Sequence, residues 1–376
     1  ALAFDPSPRT VGARRSRISM AKTNPGNFFE DFEPGAKLVH AVPRTITEGE
    51  AAMYIGLTGS RYPLHCSAEF ARSLGYPRET INDLLVFHIV FGKTVNDVSL
   101  NAVANLGYAG VRFLAPVYAG DTLRSVSDVV GKRENSNGKT GVVWVKTVGT
   151  NQRDEPVLEY FRWVMVHKRD PSTPTGADDR PAMPKEVAPS ELVVPPTLDL
   201  TRYEAWPSGG SAYFEDYEVG EKIDHVDGMT IEESEHAIAT RLYQNTAKVH
   251  FDAVQTKDTR FGRRLMYGGH VISVARSLSF NGMERVLGIL AWNGGAHANP
   301  TFAGDTIYAY SEILDKASIG GRNDVGALRV RLVALKDVGP TDAGFPLKVS
   351  RNDRETYQEN VVLDLDYWLL VPKRAR

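Results

Sequence analysis

The sequence predicts an α+β chain made of two similar domains, each an antiparallel sheet wrapped around one apolar helix. Three observations predict it: the chain repeats itself once, each half runs helix first and strands afterwards, and the long helix of each half is too apolar for a surface element. The repeat is carried by landmarks in constant order. Phe29-Glu30-Asp31-Phe32-Glu33-Pro34-Gly35 returns as Phe214-Glu215-Asp216-Tyr217-Glu218-Val219-Gly220, 185 positions on, and His65 returns as His250 at the same interval. Pro116 with Gly120-Asp121-Thr122 returns as Pro300 with Gly304-Asp305-Thr306, 184 positions on. So long a period signals duplicated domains, because solenoid units run only about 20 to 50 residues.

In the first half, Glu48 to Leu57 reads as a short helix and Leu84 to Leu100 as a long apolar one. Leu106 to Leu114, Thr122 to Gly131, Thr140 to Gly149 and Val157 to His167 then read as strands, rich in Val, Tyr, Trp and Thr and bounded by Gly, Asn and Pro. Asn135-Ser136-Asn137-Gly138 marks a hairpin between two of them. The second half follows with helices near Ile231 to Tyr243 and Leu265 to Phe280. Its strands fall near Leu287 to Ala298, Thr306 to Asp315, Ala327 to Lys336 and Tyr357 to Val371. Four consecutive strands after a helix exclude a doubly wound sheet, and wrapping them around that helix gives the hot-dog arrangement. Two such units in one chain could pair sheet to sheet. The expected division is an N-terminal extension over 1–26, hot-dog domains over 27–169 and 211–374, and between them a linker over 170–210 that holds eight of the 21 prolines. The arginine-rich first 20 residues resemble a transit peptide in composition, but a start at Met20 after an upstream extension is the preferred reading.

Composition narrows the function. Lys plus Arg total 44 against 46 Asp plus Glu, which removes the basic footprint of a dedicated nucleic-acid binder. One cysteine, Cys66, allows neither an internal disulfide nor a thiolate metal cage and suits a reducing, cytoplasmic setting. No stretch approaches the roughly 18 apolar residues of a membrane span. Phosphate-cradling GxGxxG and Walker loops, the GxSxG elbow and HExxH are all missing, and the nine histidines form no metal-ligand spacing. The two GDT tripeptides read as turn chemistry.

The remaining signal is the repeated segment Tyr54-Ile55-Gly56-Leu57-Thr58-Gly59-Ser60-Arg61-Tyr62-Pro63-Leu64-His65, matched by Arg241-Leu242-Tyr243-Gln244-Asn245-Thr246-Ala247-Lys248-Val249-His250. The first copy resembles the signature of the MaoC-like (R)-specific enoyl-CoA hydratases through Tyr54, Thr58, Gly59, Pro63, Leu64 and His65. With NPGNFFEDFEPG near the start, TGSRYPLH, YQNTAKVHFD and GGH, the whole pattern is more particularly similar to the mesaconyl-CoA hydratases, a double hot-dog branch of that family. It departs at one position: where the family has a catalytic Asp, five residues before the His, this chain has Ser60 and Asn245. Neither is a base at neutral pH.

The resemblance implies reversible addition of water to an enoyl thioester, with coenzyme A as part of the substrate and no separate cofactor or metal. On that reading His250 is the base, since imidazole titrates near working pH. Gly268 and Gly269, after Tyr267, supply backbone N–H groups for the thioester oxygen as it gains negative charge. The matching first-half positions, taken as Phe87 and His88, lack a glycine pair, so the second half is expected to be catalytic. Asn245 could hold the water, and Asp252 could orient His250 or act as the base itself. Arg61 and Arg241, with Tyr62 and His65 nearby in sequence, are candidates to hold the substrate and its free carboxylate. The Lys257, Arg260, Arg263, Arg264 run could meet the coenzyme A phosphates, whereas His88, His270 and His297 read as packing or polar lining. The partner expected is an acyl-CoA, with a homodimer on the strength of long sheet edges. Two other classes stay open: a thioesterase, disfavoured because the helix near Leu265 to Phe280 carries no carboxylate, and a non-catalytic acyl-CoA or polyketide-binding module, suggested by the missing Asp.

Overall fold

A computed structural model describes residues 22–351 and 354–374; the N-terminal reading at Met20 lies outside them. Both halves fold from the same parts in the same order. The first has strands β1 (Lys37–Val39) and β2 (Arg44–Thr45), helices α1 (Glu48–Thr58), α2 (Pro63–Cys66), α3 (Ala68–Ser73) and α4 (Asp83–Thr94), and strands β3 (Ala102–Phe113), β4 (Thr122–Glu134), β5 (Thr140–Thr150) and β6 (Pro156–His167). After a short β7 (Asp178–Asp179), the second has β8 (Lys222–Thr230), α5 (Glu233–Leu242), α6 (Lys248–Phe251), α7 (Ala253–Thr256) and α8 (Gly268–Leu278). It ends with β9 (Gly288–His297), β10 (Thr306–Ser318), β11 (Val325–Lys336), the hairpin β12 (Lys348–Arg351) and β13 (Arg354–Tyr357), and β14 (Val361–Pro372).

Local chemistry explains these boundaries. Thr47 caps α1, accepting from the Glu50 amide at 3.2 Å while Glu50 reaches back to the Thr47 amide at 2.8 Å, and Gly59 ends the helix at φ +66°. Gln244 holds the same left-handed position in the second half at φ +54°. Each GDT is a turn, with Asp121 accepting from the Tyr118 amide and Asp305 from that of Phe302. The long first-half helix leaves α geometry sooner than expected, at Thr94, where a π-helical turn over Val95–Ser99 follows. The expected strand from Tyr357 to Val371 divides, because residues before Gln358 fold back as the β12–β13 hairpin.

All the strands but the β12–β13 pair make one antiparallel sheet in the order β1-β4-β5-β6-β3-β9-β14-β11-β10-β8, with β2 and β7 also on β4. The two hot dogs therefore join edge to edge, not face to face. The seam is β3 on β9, with Tyr108 opposite Gly295 and Arg112 opposite Ala291. Both central helices lie in the concavity, and every residue of α4 after Asp83 is buried. Where they meet, His88 Nε2 bonds Ser273 Oγ at 2.7 Å, and these two residues are the same position of the repeat, 185 apart. Tyr54 donates to the same Ser273 oxygen at 2.9 Å.

Segment 187–200 packs along both halves. Leu192 and Leu198 are buried with Leu64, Phe70, Leu74 and Tyr76, Trp368 Nε1 donates to the Val187 carbonyl at 3.0 Å, and Asn293 accepts from the Val187 amide at 2.8 Å.

Contact between the halves is tight enough to dictate residue type. A Cβ on Gly92 would sit 1.8 Å from the carbonyl oxygen of Tyr243. Gly92→Ala is expected to destabilise the fold by roughly 1–3 kcal/mol in chemical denaturation, as overpacking does; an unchanged midpoint would show that the halves do not meet this closely.

Candidate active site

Helix α8 starts at Gly268, with Tyr267 as its N-cap. The first amides of a helix have no acceptor within it, and its dipole makes that end favourable for negative charge. Glycine is required here by close approach. A Cβ on Gly268 would lie 2.5 Å from Cε1 and Nδ1 of His297, and one on Gly269 would lie 2.4 Å from the Tyr267 ring.

His250 sits on α6 beside this end. Its Nδ1 is 2.8 Å from the Leu265 carbonyl oxygen, which can only accept, so Nδ1 carries the hydrogen and Nε2 presents a lone pair. Its ring is 5.6 Å from that of Tyr267 and 6.4 Å from that of His236. Burial holds the imidazole down to about 4, against the Leu265 bond that favours its charged form. His297, at the end of β9, is held to about 4 by burial and next by the charge of His250. Both rings are crowded by protein, yet His250 is half-buried and His297 exposed by surface, as expected for side chains lining a cleft. Phe251 and Val254 leave an apolar rim in solvent.

The repeat places a counterpart in the first half. His65 Nδ1 meets the Thr80 carbonyl at 3.3 Å and Thr80 Oγ1 at 3.0 Å, and Thr80 stands 185 residues before Leu265. The counterpart of Gly268 is then Asp83, not Phe87 or His88. Asp83 Oδ2 lies 4.0 Å from His65 Nε2 and accepts from the Ile289 amide at 2.9 Å. Burial raises the Asp83 carboxyl pKa and lowers that of His65. A carboxyl group at the start of α4 opposes any anion there, whereas α8 offers glycine amides.

Several expected residues are placed elsewhere. Asp252 caps α7, accepting from the amides of Val254 at 2.9 Å and Gln255 at 3.1 Å, so the Leu265 carbonyl is what orients His250. Asn245 is buried, its Oδ1 accepting from the Ala247 amide at 3.2 Å in the turn that leads to α6. Arg61 is exposed, 3.6 Å from Asp227 and stacked on Phe280, and Tyr62 bonds Ser279 Oγ at 3.1 Å beneath the Arg276 guanidinium. Both belong with His65 in the repeat. Arg241 is exposed, with no carboxylate within 4 Å among the described residues. Arg264 pairs with Glu233, which leaves Arg260 and Arg263 exposed ahead of α8, stacked on the half-buried Phe261 and the buried Phe302. Sequence reasoning passed over Tyr267 and His297 as site residues. The position of His297, three residues before the repeated Pro300, was the available signal.

Histidines held neutral by burial tie stability to pH. His225, His236, His250 and His297 are depressed to about 4, 3, 4 and 4. Unfolded, each would take a proton near pH 6.5, so the unfolded state binds more protons below that value and stability falls with pH. The melting temperature is expected to hold above pH 6.5 and to drop steadily from there to pH 4; a flat profile across that window would contradict the neutral burial of these rings.

Comparison with known proteins agrees with this architecture. A family model described as mesaconyl-CoA hydratase matches residues 10–344. The chain is 60% identical to the β-methylmalyl-CoA dehydratase of Chloroflexus aurantiacus, covering 94% of this chain and 99% of that protein. It is 56% identical to the mesaconyl-CoA hydratase of Cereibacter sphaeroides, covering 94% and 100%. Among solved structures, a MaoC domain protein dehydratase from Chloroflexus aurantiacus superposes with a TM-score of 0.90 at 59% identity, covering 94% of this chain and all of that one. A Mycobacterium tuberculosis protein described as a double hot dog superposes with a TM-score of 0.72 at 22% identity, which speaks to the fold alone. The chain belongs to the mesaconyl-CoA hydratase family.

Proposed function

We propose that the protein is a hydro-lyase that interconverts β-methylmalyl-CoA with mesaconyl-CoA and water. The observation that carries this reading is high identity over nearly the whole length of relatives named for the two directions of that reaction. The geometry supports the chemistry. In hydration, Nε2 of His250 takes a proton from water as the water oxygen bonds the β-carbon and the double bond shifts toward the thioester. The negative charge that collects on the thioester oxygen faces the amides of Gly268 and Gly269 at the start of α8. The imidazolium then returns a proton to the α-carbon, and one water has been added. Dehydration runs the same steps backwards.

These acid and base steps need only the chain's own groups, so no metal or redox cofactor enters the proposal. Asn245, neutral and buried beside α6, is suited to shaping the turn that presents His250, and Arg260 with Arg263 offers exposed charge for the coenzyme A phosphates. A homodimer fits the two sheet edges, β1 and β8, that stay open among the described residues, and the cytoplasm is proposed as its setting. The described residues contain no helix long and apolar enough to cross a membrane. Thioester cleavage is not favoured, since α8 carries no carboxylate.

Incubation with mesaconyl-CoA should give a product heavier by one water, and His250→Gln should lower kcat roughly 100- to 10,000-fold, the usual worth of a general base. Because the base must be neutral, the acid limb of kcat/KM should lie near pH 4 and not 6.5. Release of free CoA, or full activity in the variant, would contradict the assignment.

A further inference from the structure

Both arginines first considered for the free carboxylate lie on the surface, but a buried one adjoins the cleft. Arg162, on β6 of the first half, is only 1% exposed. Its Nε donates to Asn105 Oδ1 at 3.0 Å and its Nη1 to Thr94 Oγ1 at 2.9 Å, and the guanidinium lies 4.1 Å from the centre of the Phe91 ring. Among the described residues no carboxylate lies within 4 Å of it. Burying a cation without a counter-ion is costly, and a fold keeps such a group only where something else compensates.

The surroundings are short of acceptors. Asn105 Nδ2 and the Tyr160 hydroxyl are buried donors without a hydrogen-bond partner of good geometry, and Tyr160 is close enough for its charge state to influence Arg162. Arg162 pairs across the sheet with Tyr108, and the Phe91 ring under its guanidinium is 5.8 Å from that of Tyr267. The Tyr108 ring is 6.1 Å from His297 and the Tyr267 ring 5.6 Å from His250, so one layer of aromatic rings separates the guanidinium from the two imidazoles.

We infer that Arg162 receives the free carboxylate of a dicarboxylic acyl thioester, the carboxylate entering as the Tyr108 and Tyr267 rings move aside. The inference rests on the hydro-lyase reading above and names its specificity residue. A carboxylate is an acceptor-only anion, and it matches a guanidinium flanked by an amide and a phenol that have hydrogens to give. In mesaconyl-CoA it is attached to the carbon that water attacks, so fixing it fixes the reacting carbon against His250. Site and specificity would then come from opposite halves, across the β3–β9 seam.

Arg276 is the rival, buried on α8 over Tyr62. It is less suited, because it belongs with the His65 side, where the Asp83 carboxyl would oppose a second one.

Binding and turnover of mesaconyl-CoA and of crotonyl-CoA, which lacks the carboxylate, would be compared in wild type, Arg162→Met and Arg162→Lys. Arg162→Met should lose roughly 100-fold or more in kcat/KM for mesaconyl-CoA while crotonyl-CoA stays within about fivefold of wild type, with Arg162→Lys in between. Its melting temperature should match or exceed that of wild type, because methionine removes an unpaired buried charge. An unchanged preference between the substrates, an equal loss on both, or a Met variant that melts early or fails to fold would overturn the inference and make Arg162 structural. Wild type that hydrates crotonyl-CoA but not mesaconyl-CoA would instead overturn the substrate reading on which it rests.

Discussion

The structure depends on one join, the hydrogen-bonded seam of β3 on β9, which makes a single sheet of the two halves and brings their central helices within side-chain reach of each other. Between those helices His88 and Ser273, the same position of the repeat, share a 2.7 Å hydrogen bond. A polar pair so deep must be satisfied, and its geometry fixes how the halves register. His88 is kept neutral there, its pKa pushed far down by burial and then by His270. Gly92 against Tyr243 removes the space in which the halves could slide. The same seam brings Tyr108 to His297.

Duplication then supplied two helix N-termini, each beside a histidine held through Nδ1 by the backbone. The halves have diverged at a single telling position. Glycine at 268 leaves open amides under His297, whereas aspartate at 83 fills the equivalent place with a carboxyl group tied to the Ile289 amide. Charge separates them first: developing negative charge is favoured at the start of α8 and opposed at the start of α4. The segment over 187–200 also reaches the α4 end, where Val193 and Pro195 line a cavity of about 50 Å³ with Leu64, Thr80 and Asp83. On the other side Phe251 and Val254 remain in solvent.

Much of this was legible in the sequence. The landmark interval of 185 carried the duplicated fold, and the apolar run after Asp83 marked a central helix, because periodicity and burial both follow from residue type. That His250 lies beside the helix the glycine pair begins follows the order of the repeat. The less legible residues depend on tertiary contacts. Asp252 stands two positions from His250 yet spends its oxygens on capping α7, a choice set by backbone direction. Asp83 and Gly268 correspond only once both helices are seen to begin there. Arg162 lies in a strand that is largely apolar on both faces, so only the fold shows that its guanidinium points into the core without a carboxylate.

We propose that the chemistry belongs to the α8 end and not to its α4 twin. The most direct test is a crystal structure of the whole chain with an unreactive mesaconyl-CoA analogue in which a methylene replaces the thioester sulfur. The account predicts the analogue's carbonyl oxygen against the amides of Gly268 and Gly269, with Nε2 of His250 facing the double bond. An analogue lodged beside His65 and Asp83 would contradict it.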